Sequence, residues 1–432
     1  VAGEIMPQTK RLKYLLLFVL LISTSVRCGV AVYVQRQLDR EPDRTYVIEG
    51  DADGYWKLAR KIYRGEEYTI YTPPRRVLRM PGFPVFLAGA MSIVGEDHFG
   101  VRLILALLGV LACFVVYLLG KELVNETIGV IAAALVAISP VMAGFSVLFL
   151  SETAFAVTML ISLWVLVKLS KIQYGASDQV RGTLFSILAG VSLAIAFYVR
   201  PSWLLILPVV VVILVFSAKG NRTAAMQRAL LMTLGFAVML VPWVHRNYQV
   251  TNHFVPTTLW AGPSLYDGLN PRATGDSDMT FFDQENVLKT MSEYEMNQHY
   301  TKRSIEYAQQ HPGHVFRLMG AKLLRYWKPW PNAMQFQKFW MMLAVFVIFI
   351  PVITFAIYGA WVSRDQYLLL LITLGPVIYF SLIHLIFVSS LRYRLPAEYS
   401  LYILSAVGFY HMFFIRLKRK KSPQDNNSSL MV

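Results

Sequence analysis

The sequence predicts an all-α, polytopic membrane protein built as a bundle of about ten transmembrane helices. Three observations carry this. Of 432 residues, 56% are hydrophobic and only 16% charged, too few polar groups to cover a soluble surface. The apolar residues arrive in blocks of about twenty, the length that crosses about 30 Å of hydrocarbon. The short basic stretches fall on alternate connections, as retention of Lys and Arg on the cytoplasmic side requires.

The blocks lie at 14–34, 101–119, 128–148, 153–168, 184–199, 203–218, 229–244, 339–359, 367–388 and 396–415. The first follows Lys10, Arg11 and Lys13 as a signal peptide would. It nevertheless runs near full spanning length without a small-x-small cleavage site, and reads as a retained anchor. The N-terminus, KLSKIQYGASDQVR, AKGNRTAAMQR and the tail RLKRKKS share one face if the spans alternate. Both termini are therefore expected in the cytoplasm, with 35–100 and 245–338 outside. The expected units are an N-terminal transmembrane module (1–244), an extracytoplasmic region (245–338), C-terminal helices (339–416) and a disordered tail (417–432).

Within the first outer loop, RMPGFPVFLAGAMSIVG is apolar but too short to cross, so it predicts a juxtamembrane or re-entrant helix. The second outer segment predicts helices around 283–310 and 313–327. Turn signals stand at LNPRATGD and HPGH, and the aromatic run YWKPWP suits the interface.

The formal charge of +15 is explained by the basic loops and tail, and no basic soluble domain exists to carry nucleic acid. Cys28 and Cys113 both fall in apolar blocks, which argues against a disulfide frame or a thiolate metal site. His245 has no second His or Cys at ligand spacing, and HPGH reads as a turn with surface histidines, so no metal is expected.

Unusual polar residues then gather near the outer surface. Asp51 and Asp53 follow span one, Glu152 opens span four, Arg200 joins spans five and six, and His245 and Arg246 follow span seven. Lys322 precedes span eight, and Arg392 and Arg394 lie between nine and ten. Ionisable groups at such depth are costly unless paired or facing a cavity, which makes the set a candidate site. Singly, each has a plainer reading: Arg200 and Lys322 as snorkelling cations, Glu152 as a helix-start acid, His245 as an interface residue.

Asp51 and Asp53 form an Asp-x-Asp pair in EGDADGYW. Such a pair can hold a divalent metal against a nucleotide sugar, or supply one working carboxylate and a neighbour. Nucleotide sugars are cytosolic, whereas this pair is expected outside. A donor reachable there is a sugar on a polyprenyl phosphate. Transfer from it needs a carboxylate to take the acceptor's proton and cations to hold the departing phosphate.

Several stretches resemble the GT-C class of integral-membrane glycosyltransferases, the group containing protein O-mannosyltransferases and the lipid A aminoarabinose transferase. They are GDADGYWKLARKIYRGEEY, RMPGFPVFLAG, LSETAF, YVRPSWL, VPWVHRNYQVTNHFVPTT with GLNPRATG, KLLRYW and RYRLPAEYSLYIL, in the family's order. The chain looks most like bacterial members described as dolichyl-phosphate-mannose-protein mannosyltransferase-like. The resemblance implies a GT-C bundle with juxtamembrane helices on its first outer loop. It also implies a multi-pass protein of the bacterial inner membrane, with its site facing the periplasm. Aligned through Tyr55, the family's general-base Asp falls on Asp51. Family members often carry Asp-Glu here, whereas this chain has Ala52 and then Asp53, so Asp53 stays the second candidate. Arg79 takes the place of the basic residue near the lipid phosphate.

The expected activity is inverting transfer of a sugar from a polyprenyl-phosphate donor to a hydroxyl on a protein, lipid or glycan, with no cofactor. Arg79, Arg200, Arg246, Lys322, Arg392 and Arg394 are expected around the phosphate, and Glu152 beside Asp51. Tyr55, Trp56 and His245 are expected to line the sugar and acceptor pocket. If the turn SSLRYRLP is extended, Arg392 and Arg394 point the same way. The alternative activity is a transporter or flippase for polyprenyl-linked sugars, which should show polar residues in mid-span or inverted repeats. A pseudoenzyme that binds the donor without turnover would share the same residues.

Overall fold

A computed structural model describes residues 8–41, 43–218, 220–330 and 338–415. The tail expected over 417–432 lies outside them. In chain order the α-helices are α1 (Gln8–Leu38), α2 (Asp51–Tyr63), α3 (Gly82–Val94), α4 (His98–Leu123), α5 (Glu126–Ala137) and α6 (Pro140–Phe145). There follow α7 (Glu152–Ser170), α8 (Gln179–Val199), α9 (Ile206–Ser217), α10 (Arg222–Thr251), α11 (Ala261–Gly268) and α12 (Thr280–Glu285). The last are α13 (Glu293–Gln310), α14 (Pro312–Trp327), α15 (Phe339–Val362), α16 (Tyr367–Ile386) and α17 (Leu391–Tyr410). No β-sheet forms among the described residues, where the one isolated bridge pairs Ile70 with Arg75.

This is a multi-pass membrane protein. Among the described residues, seven helices are long and apolar enough to cross a bilayer: α1, α4, α7, α8, α10, α15 and α16. The other three expected spans are helical but irregular. α17 carries Arg392, Arg394 and Glu398, and α9 has only 12 residues. The third expected span is broken. Pro140 holds Ser139 extended, at φ −67° and ψ 117°, so α5 stops and the short α6 begins.

That break frees backbone carbonyls, and a buried cation satisfies them. Arg27, inside α1 and fully buried, donates to Ala137 O at 3.2 Å and Val136 O at 3.3 Å, and to Ser23 Oγ at 2.7 Å. Arg102, on α4, likewise donates to Val147 O at 2.8 Å. Non-helical backbone at membrane depth persists where protein groups complete its hydrogen bonds. The stretch 146–151 then delivers Glu152 to the start of α7.

Close backbone approach holds the C-terminal helices together. A Cβ on Gly359 would lie 2.0 Å from Leu404 O, and one on Gly408 2.1 Å from Phe355 O, so α15 and α17 meet through glycines. In the first outer loop, the apolar stretch after Arg79 forms α3, short as expected. In the second, the helix expected around 283–310 runs only from Glu293, as α13, after the separate short α12, and the one expected around 313–327 is α14. α13 opens with a capping box in which Ser292 and Glu295 satisfy each other's backbone N–H groups.

Candidate active site

Two features of α2 separate the Asp-x-Asp pair. Residues two apart on a helix point to nearly opposite sides, while those three and four apart share a face. Asp53 therefore turns outward and pairs with Lys57, one turn on, at 2.7 Å. Asp51, in the first turn where the helix dipole favours a carboxylate, shares its face with Gly54 and Tyr55.

Both Asp51 oxygens are taken by guanidiniums. Arg79 Nη2 donates to Oδ1 at 2.6 Å, and Arg392 Nη1 lies 2.7 Å from Oδ2. Arg79 reaches Asp51 across Gly54, where a Cβ would stand 3.2 Å from Arg79 Nε and 3.3 Å from Nη2. Burial alone would push the Asp51 carboxyl up. Arg79 and Arg392 outweigh it and hold the group well below the usual carboxylate range.

Arg392 joins this pair to a second carboxylate. Its Nε donates to Glu152 Oε1, which also accepts from Arg200 Nη2 at 2.8 Å. Glu152 is fully buried, and its Oε2 has no hydrogen-bond partner within the protein. Arg200 Nε donates to Ser151 Oγ at 3.2 Å, and the Tyr55 hydroxyl to the same oxygen at 3.4 Å. Tyr55 also carries the Arg79 guanidinium over its ring, 4.4 Å from the centroid. Five charged side chains from α2, the 64–80 loop, α7, the α8–α9 turn and α17 thus form one continuous cluster.

The 64–80 loop that presents Arg79 is pinned from several sides. Arg246 donates to Arg76 O at 2.6 Å and Tyr68 O at 2.9 Å. Glu293 accepts from the Arg76 and Val77 N–H groups at 2.5 and 3.2 Å, and Leu259 N–H donates to Val77 O at 2.9 Å. Tyr68 donates to Arg79 O at 3.2 Å. Arg79 is consequently a fixed cation.

The structure therefore brings together Asp51, Tyr55, Arg79, Glu152, Arg200 and Arg392, and places the remaining expected residues elsewhere. Arg246 serves backbone carbonyls of the loop. Lys322, fully buried, donates to Leu385 O at 3.2 Å and Ile386 O at 2.5 Å, the end of α16. Burial pushes its ammonium down to about 8, against the nearby Asp267. His245 meets Gln249 at 3.1 Å on an exposed surface. Trp56 is buried in a stack with His98, ring centroids 4.1 Å apart.

Arg394 corrects the expectation that it and Arg392 face one way. The chain is already helical from Leu391, so the two diverge. Arg394 is fully buried, bonded to Glu398 and to the Tyr326 carbonyl. Sequence reasoning gave Gly54 no role in the site. Gly54 had a legible signal, since a glycine inside a helix is unfavourable by about 1 kcal/mol unless something must approach closely. Among the described residues no three His, Cys, Asp or Glu side chains gather as a metal site would require.

A family model described as dolichyl-phosphate-mannose-protein mannosyltransferase matches residues 78–245. The match includes Arg79, Glu152 and Arg200 and excludes Asp51 and Arg392. Among solved structures, the archaeal oligosaccharyltransferase AglB from Archaeoglobus fulgidus, in complex with an inhibitory peptide and a dolichol-phosphate, is similar at 15% identity. That likeness covers 96% of this chain and 52% of the other, with a TM-score of 0.57. The apo form of the Archaeoglobus fulgidus enzyme gives 16% identity, 95% and 52% coverage, and a TM-score of 0.56. ArnT from Cupriavidus metallidurans bound to undecaprenyl phosphate gives 14% identity, 94% and 78% coverage, and a TM-score of 0.46. No curated protein matches the chain in sequence. The chain has a GT-C-like helical fold. It spans about half the length of the oligosaccharyltransferase structures it matches.

Proposed function

We propose that the protein transfers a sugar from a polyprenyl-phosphate donor to an acceptor hydroxyl on a protein, lipid or glycan, at the non-cytoplasmic membrane face. The observation that carries this reading is the Asp51 carboxylate held between Arg79 and Arg392. A potential base and two cations suited to phosphate occupy one spot on a GT-C-like frame.

In this reaction the acceptor oxygen bonds to the sugar's anomeric carbon while the bond from that carbon to the phosphate oxygen breaks. The acceptor's proton passes to Asp51, and the bonding pair leaves on the phosphate. Arg79 and Arg392 serve both groups. Guanidiniums suit this, because their planar forks donate two bonds to carboxylate or phosphate alike. With both arginines on Asp51 the carboxylate is a weak base. A phosphate that shares their donors, and adds its own negative charge, raises Asp51's basicity where the proton must go. Glu152 orients Arg392 and Arg200, and its unpartnered Oε2 is placed to accept from a sugar hydroxyl. Arg246, Lys322 and Arg394 hold the surrounding frame in this reading.

The test is transfer from a labelled polyprenyl-phosphate sugar by purified protein in detergent. Asp51→Asn should slow it by about 10²-fold or more, the range of a positioned general base. Asp53→Asn, which loses only the exposed contact to Lys57, should stay within a few fold. The reverse ranking would refute the assignment of Asp51.

A further inference from the structure

Tyr71 stands at the tip of the tight turn closed by Ile70 and Arg75, whose backbones exchange hydrogen bonds at 3.2 and 2.9 Å. Its φ is +68°, a left-handed conformation that glycine adopts freely and a bulky aromatic rarely does. The turn alone gives no reason for a tyrosine. Nor does burial, since the side chain is 42% exposed.

Its ring is fixed all the same. The Arg75 guanidinium lies 4.9 Å from the Tyr71 centroid and is itself held against Trp260 and Phe282, at 5.1 and 4.8 Å. This stacking aims the hydroxyl back over α2. The point where a Gly54 Cβ would stand is 3.4 Å from the Tyr71 hydroxyl and 3.2 Å from Arg79 Nε. Arg79 Nε is a buried donor with no hydrogen-bond partner in the protein. A phenolic donor and a cationic donor thus border the same side of Gly54, beside the guanidinium that grips Asp51. Spaced this way, the two can reach oxygens of one phosphate group.

We propose that Tyr71 is a further ligand-contacting residue of this site: its O–H, beside the Arg79 Nε–H, donates to an oxygen of the lipid-linked phosphate. The proposal rests on the reading of Arg79 as a phosphate-binding cation. As the donor's phosphate gains charge on departure, both contacts strengthen, so Tyr71 acts on turnover as well as on binding. The strained backbone is the device that delivers the hydroxyl, and the Arg75 stack keeps it in place.

The experiment compares wild type, Tyr71→Phe and Tyr71→Ala in detergent, using binding of undecaprenyl phosphate, binding of undecaprenol, and thermal unfolding. Tyr71→Phe keeps the ring on Arg75 and removes only the hydroxyl. It should weaken undecaprenyl phosphate binding about tenfold, the size of one charge-assisted hydrogen bond. Undecaprenol binding and the unfolding temperature should not change. If Tyr71→Phe binds the phosphate as wild type does, the ring is only packing and the proposal falls while the proposed transfer stands. Equal weakening towards undecaprenol would also overturn it, since the effect would then be on the lipid chain or the fold. If the wild type itself does not bind undecaprenyl phosphate above undecaprenol, the proposal and the proposed function fall together.

Discussion

Replacing Arg392 with alanine removes the bridge between the two carboxylates of the site. Arg392 contributes one contact to Asp51 at 2.7 Å and another to Glu152. Charge-assisted hydrogen bonds contribute about 1.5–3 kcal/mol each, so the two together would give roughly 3–6. Glu152 keeps Arg200 at 2.8 Å and Asp51 keeps Arg79 at 2.6 Å, and the Asp51 side chain is 34% exposed, so water replaces part of the loss. A net destabilisation of about 2–3 kcal/mol is expected, below the roughly 3–5 of a buried charge left wholly unpaired. Transfer should suffer more. Removing one preorganised donor to developing negative charge costs about 10²–10³ in rate. Arg392→Lys keeps a charge without the fork and should recover only part of either quantity. The assay is the initial rate of label transfer at saturating donor, with thermal unfolding on the same preparations. A rate within about twofold of wild type, whatever happens to stability, would refute a leaving-group role for Arg392.

Gly54→Ala should leave stability unchanged or raise it by up to about 1 kcal/mol through helix propensity. It should slow transfer, because the new methyl presses on Arg79 at 3.2 Å; unfolding and rate measured together decide this. Lys322, pushed down to about 8 by burial, titrates below its unfolded value near 10.4. The unfolded chain binds the extra proton between those limits, so stability should rise with pH from about 8 to 10. Lys322→Met should flatten that slope in unfolding temperatures taken across the range. Lys289→Cys, on the exposed turn before α13, should react with a membrane-impermeant maleimide from the non-cytoplasmic side of intact cells. Labelling only after permeabilisation would invert the assigned topology.

What the sequence made legible was local. Apolar blocks are read from composition over a single window, and each expected span contains a helix, though the third is broken at Ser139 and Pro140. α3, α13 and α14 were equally readable from length, prolines and turn signals. Asp51 and Arg79, 28 residues apart, carried type and approximate depth but no direction. Directions were lost because they depend on partners far along the chain. An extended turn would give Arg392 and Arg394 a common target, whereas the helix starts earlier and sends one to Asp51 and the other to Glu398. Arg27 was overlooked within an apolar block, because its acceptors are 109 and 110 residues away and exist only where α5 breaks. Depth alone groups Lys322 and Arg246 with the phosphate cations, but depth does not distinguish a cation facing a ligand from one capping carbonyls.

The make-up of the central cluster bears on how such a reaction runs beside hydrocarbon. Arg79, Arg200 and Arg392 set three positive charges against two negative ones on Asp51 and Glu152, a surplus of one. A sugar phosphodiester brings one negative charge and cancels it. In the proposed transfer, Asp51 would take the acceptor's proton, and the surplus would grow to two while the departing monoester moves towards a second negative charge. The sum stays near zero from donor-bound state to products. Separating charge in a low-dielectric setting is opposed by a large loss of solvation, and a pathway that only redistributes it among fixed neighbours avoids that opposition. Neutralising any one of the five would unbalance both ends of the pathway at once. Electroneutrality then belongs to the set of five, and no single side chain can restore it.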